Sequence, residues 1–116
     1  CGVYREQSSM QATVAELQRI KPRTHALALE DSSKVFNTEV IAALELQNMA
    51  LVAEAVANSA LPRQESRGAH TCKDFPTRND AEYLHHTMIT HNADGPPTVG
   101  KSTVTLGTWE PEERKY

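Results

Sequence analysis

The stretch TEVIAALELQNMALVAEAVANSAL, residues 38 to 61, decides the fold. It contains no Gly or Pro and is built mostly from Ala, Leu and Glu, so it predicts one long helix. Asn37 or Thr38 is placed to cap its start, and Pro62 stops it. Val40, Leu44, Gln47, Leu51, Ala55 and Asn58 or Ser59 trace one face, and Ile41, Met49, Val52 and Val56 widen it. The stretch carries only three charges, Glu39, Glu45 and Glu54. So broad an apolar stripe predicts burial against more than one neighbour.

Upstream, residues 8 to 21 predict a shorter helix, with Ser8 or Ser9 as cap. Met10, Val14, Leu17, Ile20 and Lys21 lie on one side, and Pro22 ends the helix or breaks its last turn. Residues 23 to 37 connect the two, so residues 8 to 61 form an antiparallel helical hairpin. Downstream, residues 62 to 82 alternate basic and acidic side chains around Gly68 and Pro76 and read as an irregular but ordered loop. Residues 83 to 116 read as a β-hairpin and tail. The β-prone runs are Leu84 to Thr90 and Ser102 to Leu106, and the turn is Asn92-Ala93-Asp94-Gly95-Pro96-Pro97. A lone hairpin needs a surface to lie on. The polar tail has one large anchor, Trp109.

At 116 residues the chain is one domain, and 39% hydrophobic with 23% charged residues makes it globular rather than disordered. A net charge of -3 gives no electrostatic case for nucleic acid. No apolar run approaches the ~20 residues of a membrane span, so no direct membrane contact is expected. Cys1 and Cys72 make no disulfide framework. The opening Cys1-Gly2-Val3-Tyr4-Arg5 has neither an initiator Met nor a secretory signal, so the chain reads as processed or excised from something longer.

Candidate chemistry is sparse. His70, Cys72, His85, His86 and His91 are metal-ligand types without metal-site spacing, and adjacent strand residues such as His85 and His86 point to opposite faces. Residues 95 to 102, GPPTVGKS, end like a phosphate-binding loop. Two prolines withhold N–H donors there and a β-prone run follows, so a hairpin turn is the better reading. The remaining signal is the run Arg63-Gln64-Glu65-Ser66-Arg67-Gly68-Ala69-His70, followed by Asp74-Phe75-Pro76-Thr77-Arg78-Asn79-Asp80.

This run resembles the C-terminal signature R-x-E-S-R-G-A-H-x-R-x-D-F-P-x-R-D-D of the succinate dehydrogenase and fumarate reductase flavoproteins. Gly2-Val3-Tyr4-Arg5, Leu44 to Met49, and the ending Trp109 to Tyr116 are similar to the family at the same places. Cys72 stands where the family usually has Arg and Asn79 where it usually has Asp, which removes two charges from any ion-pair network.

The resemblance implies a mainly α domain: antiparallel helices of a three-helix bundle, incomplete if its first helix lies before Gly2, then an ordered loop and a C-terminal β-hairpin. It implies a parent oxidoreductase, part of electron transport and the tricarboxylic acid cycle, that interconverts succinate and fumarate with FAD and passes electrons to an iron–sulfur subunit. The flavin-linking and catalytic residues lie upstream in the family, so this fragment alone is expected to be inactive and to hold no cofactor or metal. Arg63, Glu65, Arg67, Gly68, His70, Asp74, Arg78 and Asp80 are expected to dock it on the flavin-binding domain of the same chain, near the iron–sulfur subunit. The parent would sit peripherally on the cytoplasmic or mitochondrial matrix face of the respiratory membrane. In isolation, self-association through the uncovered helix is expected. Two alternatives are the C-terminal domain of L-aspartate oxidase, which shares Ser-Arg-Gly-x-His, and a stand-alone helical interaction module. Ala69-His70 and the ending Arg114-Lys115-Tyr116 favour the dehydrogenase over the oxidase.

Overall fold

The long apolar run folds as a single helix. In the computed structural model, which describes residues 1–93 and 95–112, the elements run β1 (Tyr4–Arg5), α1 (Gln7–Thr24), α2 (Thr38–Ala60), β2 (Thr71–Cys72), α3 (Asp80–Tyr83), β3 (His85–Thr90) and β4 (Thr98–Thr103). Asn37 caps α2, its side chain accepting from the Val40 N–H at 3.0 Å. The Gln7 side chain reaches the Leu61 carbonyl, and Gln47 reaches the Thr24 carbonyl, so α1 and α2 run antiparallel. Their seam is lined by alanines: Ala50, Ala57 and Ala60 are buried, as is Glu54, whose carboxylate is held by Lys21 at 2.6 Å. That ion pair explains a lysine on the otherwise apolar side of α1.

Two expectations for α1 fail. Neither Ser8 nor Ser9 caps it; the cap position is Glu6, without a side-chain bond, and the first helical N–H, that of Gln7, donates instead to Asp74 at 2.7 Å. Nor does Pro22 end it. Pro22 lacks only the N–H that would bond one turn back, and the turn beyond it is held by Lys21 to Glu54, by the Thr24 hydroxyl to the Lys21 carbonyl and by Gln47 to the Thr24 carbonyl. Tertiary bonds outweigh the local breaker.

The core lies where α1 begins and α2 ends. Met10, Ala60 and Cys72 form it, with Leu61 and Phe75 packed against them. Above it, β1 and β2 pair in parallel, Tyr4 with Thr71 and Arg5 with Cys72.

The C-terminal hairpin is antiparallel and lies against α2 through β3. Its second strand starts at Thr98 rather than Ser102, because Asn92 closes the turn by donating to the Pro96 carbonyl at 2.7 Å and the Thr98 hydroxyl at 3.0 Å, so pairing begins at once with Thr90. Gly100-Lys101-Ser102 are therefore strand residues. The first strand starts at His85, because residues 80 to 83 form the short helix α3, where only loop was expected. Trp109 is 85% exposed and anchors nothing among the described residues. Asp94 of the turn and the ending Arg114-Lys115-Tyr116 lie outside the described residues.

The wide apolar face of α2 does not find the neighbours its pattern calls for. Ile41, Leu44, Met49, Val52 and Val56 are all exposed, Val52 by 63%. Against expectation, α2 is also long and apolar enough to cross a membrane by length and composition alone, because its three glutamates are spaced too far apart to interrupt the run.

Candidate functional site

The charged run folds into a network centred on Glu65. Arg63, Glu65 and Arg67 alternate in sequence, which on extended backbone puts all three side chains on one side. Glu65 is 0% exposed. One of its oxygens accepts from Arg63 Nη1 and from Arg67 Nε at 2.8 Å; the other accepts from Arg67 Nη2 at 3.1 Å and the Asn79 N–H at 2.9 Å. Burial pushes the Glu65 carboxyl up, but the bonds from Arg67, the Asn79 N–H and Arg63 outweigh it and leave the group below the usual carboxylate value.

From this hub the network reaches the rest of the fold. Arg63 donates to the Tyr83 carbonyl at 3.0 Å, the His85 carbonyl at 2.7 Å and the Thr87 hydroxyl at 3.2 Å, tying α3 and β3 to the end of α2. Arg67 continues to Asp80, which also accepts two bonds from Arg78, at 2.7 and 2.6 Å. Arg78 and Arg67 hold the Asp80 carboxyl far below its ordinary range. Asn79 supplies no charge, but its side chain caps α3 at Glu82.

The turn that carries the network is tight. Arg67 and His70 exchange both backbone bonds, at 2.8 and 2.9 Å, and Gly68 between them has φ +57°. A positive φ at the first of two central residues is where a hairpin turn takes Gly. A Cβ on Gly68 would meet nothing within 4 Å, so the requirement is backbone conformation rather than space. Ser66 braces the same loop, donating to the Phe75 carbonyl at 2.8 Å and accepting from the Cys72 N–H at 2.9 Å. Cys72 itself is core, outside the ion-pair network.

His70 joins the network to the N-terminal segment. Arg5 Nη1 lies 2.6 Å from Nδ1, and the Arg63 carbonyl 3.0 Å from Nε2. Arginine only donates and a carbonyl only accepts, which fixes a neutral ring with the proton on Nε2. Burial holds the imidazole below its usual pKa of 6.5, and the Arg5 and Arg63 charges add to it.

A folded pKa below the unfolded one means the unfolded chain binds more protons, so stability falls as pH drops through 6.5 towards the folded value. His85 is displaced in the same direction, by burial first and then by Lys101 and Arg63. Urea unfolding between about pH 8 and pH 5 is therefore expected to lose stability with a steeper slope in the wild type than in His70→Gln. Equal slopes would mean that His70 is not held neutral.

Of the expected site residues, Arg63, Glu65, Arg67, Arg78 and Asp80 meet in one network and His70 touches it through Arg63, while Asp74 stands apart at the start of α1. Arg5 and Asn79 were not anticipated, and no local spacing ties Arg5 to a residue 65 positions away. Among the described residues, no group of three His, Cys, Asp or Glu side chains could hold a metal.

At the start of α1 the residues do not fit a flavin pyrophosphate. β1 leads into α1 through a single residue, Glu6, without a glycine-rich turn, and the first helical N–H is already taken by the Asp74 carboxylate. A pyrophosphate there would meet two acids. The arrangement orients backbone and gives the loop its shape.

The family model described as the C-terminal part of the fumarate reductase flavoprotein matches residues 1–116. The fumarate reductase flavoprotein subunit of Haemophilus influenzae is 41% identical over 116 residues, covering 100% of this chain and 19% of that protein. The succinate dehydrogenase flavoprotein subunit of Coxiella burnetii is 44% identical over 87 residues, covering 75% of this chain and 15% of that protein. A solved structure of E. coli quinol fumarate reductase superposes with a TM-score of 0.91 at 36% identity, over 97% of this chain and 20% of that one. The chain thus spans about a fifth or less of the length of these relatives, and the matches do not favour L-aspartate oxidase or a stand-alone module. Motif, fold and overall likeness agree, and the chain belongs to the C-terminal domain family of the fumarate reductase and succinate dehydrogenase flavoproteins.

Proposed function

We propose that the chain is the C-terminal structural domain of a flavoprotein subunit that interconverts fumarate and succinate, and that it supports the FAD-containing part of the same polypeptide without reacting itself. The observation that carries this is the bare apolar face of α2, whose Ile41, Leu44, Met49, Val52 and Val56 are exposed in a chain matching about a fifth of its relatives' length. An upstream helix laid along that face completes a three-helix bundle. Glu45 and Glu54 lie within α2 and α1 packs along it, which favours protein over lipid as the cover. The charged network sets the shape of residues 63 to 80 and presents its Arg78–Asp80 end for docking on the flavin domain. Other subunits, an iron–sulfur protein among them, receive the electrons and hold the assembly on the cytoplasmic or matrix face of the membrane. In isolation the same face of α2 offers a seam to a second copy.

The test is Val52→Asp. In the 116-residue chain the substitution is at an exposed site and is expected to change stability by less than about 0.5 kcal/mol. In the full-length flavoprotein it buries a carboxylate in a helix seam, and fumarate- or succinate-dependent turnover is expected to fall about tenfold or more through loss of folded enzyme. An equally small effect in both would overturn the reading.

A further inference from the structure

The open cleft between the N-terminal segment and α2, about 380 Å³, has two unlike walls. One is apolar, from Ala55 and Val56 with Ser59 beside them; the other carries Arg5, Arg63 and His70. The cationic groups are unequal. Arg63 has both amino nitrogens engaged and its charge matched by Glu65. His70 is neutral, its two ring nitrogens taken by Arg5 and the Arg63 carbonyl. Arg5 donates through Nε to the Gly2 carbonyl at 2.7 Å and through Nη1 to His70 at 2.6 Å. Its Nη2 makes no bond, and it pairs with no carboxylate, among the described residues. Among the other cations of this end of the domain, Arg63, Arg67, Lys73 and Arg78 each have an acid partner.

We propose that this cleft receives a Glu or Asp side chain from the part of the polypeptide that lies outside this domain, with the carboxylate on Arg5 Nη2 and the aliphatic stem on Ala55 and Val56. The proposal rests on the reading of the chain as a docked C-terminal domain. Charge complementarity selects the occupant: a half-buried guanidinium held rigid by His70 and Gly2 offers a fixed donor to a planar acid. The apolar wall favours an acid delivered on a protein stem over a hydrated free ion. The volume admits such a side chain with the backbone that carries it.

The test uses the full-length flavoprotein and follows the rate at which chymotrypsin separates the domain from the rest. Arg5→Gln is expected to raise the rate about tenfold, the scale of one lost charge-assisted bond. The rate in the wild type is expected to rise with salt and in Arg5→Gln to be insensitive to it. The same comparison in a His70→Gln background isolates the new contact: an Arg5 effect that persists there supports it, and one that vanishes shows that Arg5 serves only His70 and overturns it. Protection that appears only on adding sodium succinate would assign the cleft to a free acid and also overturn it. Val52→Asp separates this inference from the docking reading. Release by Val52→Asp but not by Arg5→Gln leaves docking standing and removes the carboxylate; release by neither removes both.

Discussion

Replacing Glu65 with Ala is expected to destabilise the chain by about 3–5 kcal/mol, the usual cost of removing one partner from a buried charge network. The side chain is fully enclosed and collects four donors. Without it, Arg63 and Arg67 face each other with no intervening charge, and the Asn79 N–H loses its acceptor. Because Arg63 also holds the backbone of Tyr83 and His85, the loss spreads to α3 and the hairpin. Glu65→Gln keeps the volume but turns an NH2 group towards arginine donors, so most of the loss is expected to remain. Urea titration reads both as a midpoint shift of roughly 1.5–3 M. A shift of Glu65→Ala below about 0.5 M would show that the network contributes little. The carboxyl is held below its usual pKa, so its stabilisation is present above the unfolded value of 4.5 and is lost as pH falls through the folded one; Glu65→Gln removes that share of the acid sensitivity.

Met10→Ala is expected to cost about 2–5 kcal/mol, combining lost transfer energy with the cavity left behind. Met10 is 1% exposed and is the largest side chain of a core made otherwise of Ala60 and Cys72, with Leu61 and Phe75 at its edge. Few side chains can collapse into the space, which places the variant towards the upper part of that range. The melting temperature is expected to drop by roughly 10 °C or more. Met10→Leu, which nearly conserves volume, should cost less than about 1.5 kcal/mol. Losses below about 0.5 kcal/mol for both Ala and Leu would indicate that the core lies elsewhere.

What could be read in advance follows from the range of the forces concerned. α2 was legible because its composition, its Asn37 cap and the Pro62 stop all act within a few residues. The hairpin and its turn were legible for the same reason, though not the start of β4, which depends on the side chain of Asn92. The motif was legible as a family signature, and the Arg63, Glu65, Arg67 alternation could have shown that they share a side. The cap of α1 was misplaced because its acceptor, Asp74, is 67 residues away and a rule for local caps looks only at neighbours. The pairing of Tyr4–Arg5 with Thr71–Cys72 left no trace, since two-residue strands have no periodicity to detect. Pro22 misled because side-chain bonds from another helix support the turn beyond it.

The parallel pairing of β1 with β2 also sets an order in time. α2, the helical hairpin and the β-hairpin each close over short separations and can form early. The first turn of α1, the N-terminal strand and the core around Met10 need residues 71 to 75, so they close a loop of about 65 residues and bear its entropy. During synthesis residues 4 to 10 emerge about 65 residues ahead of their partners, and until those arrive α1 is frayed at its start. The interval before that pairing is when the unfinished core around Met10 is most open to another chain.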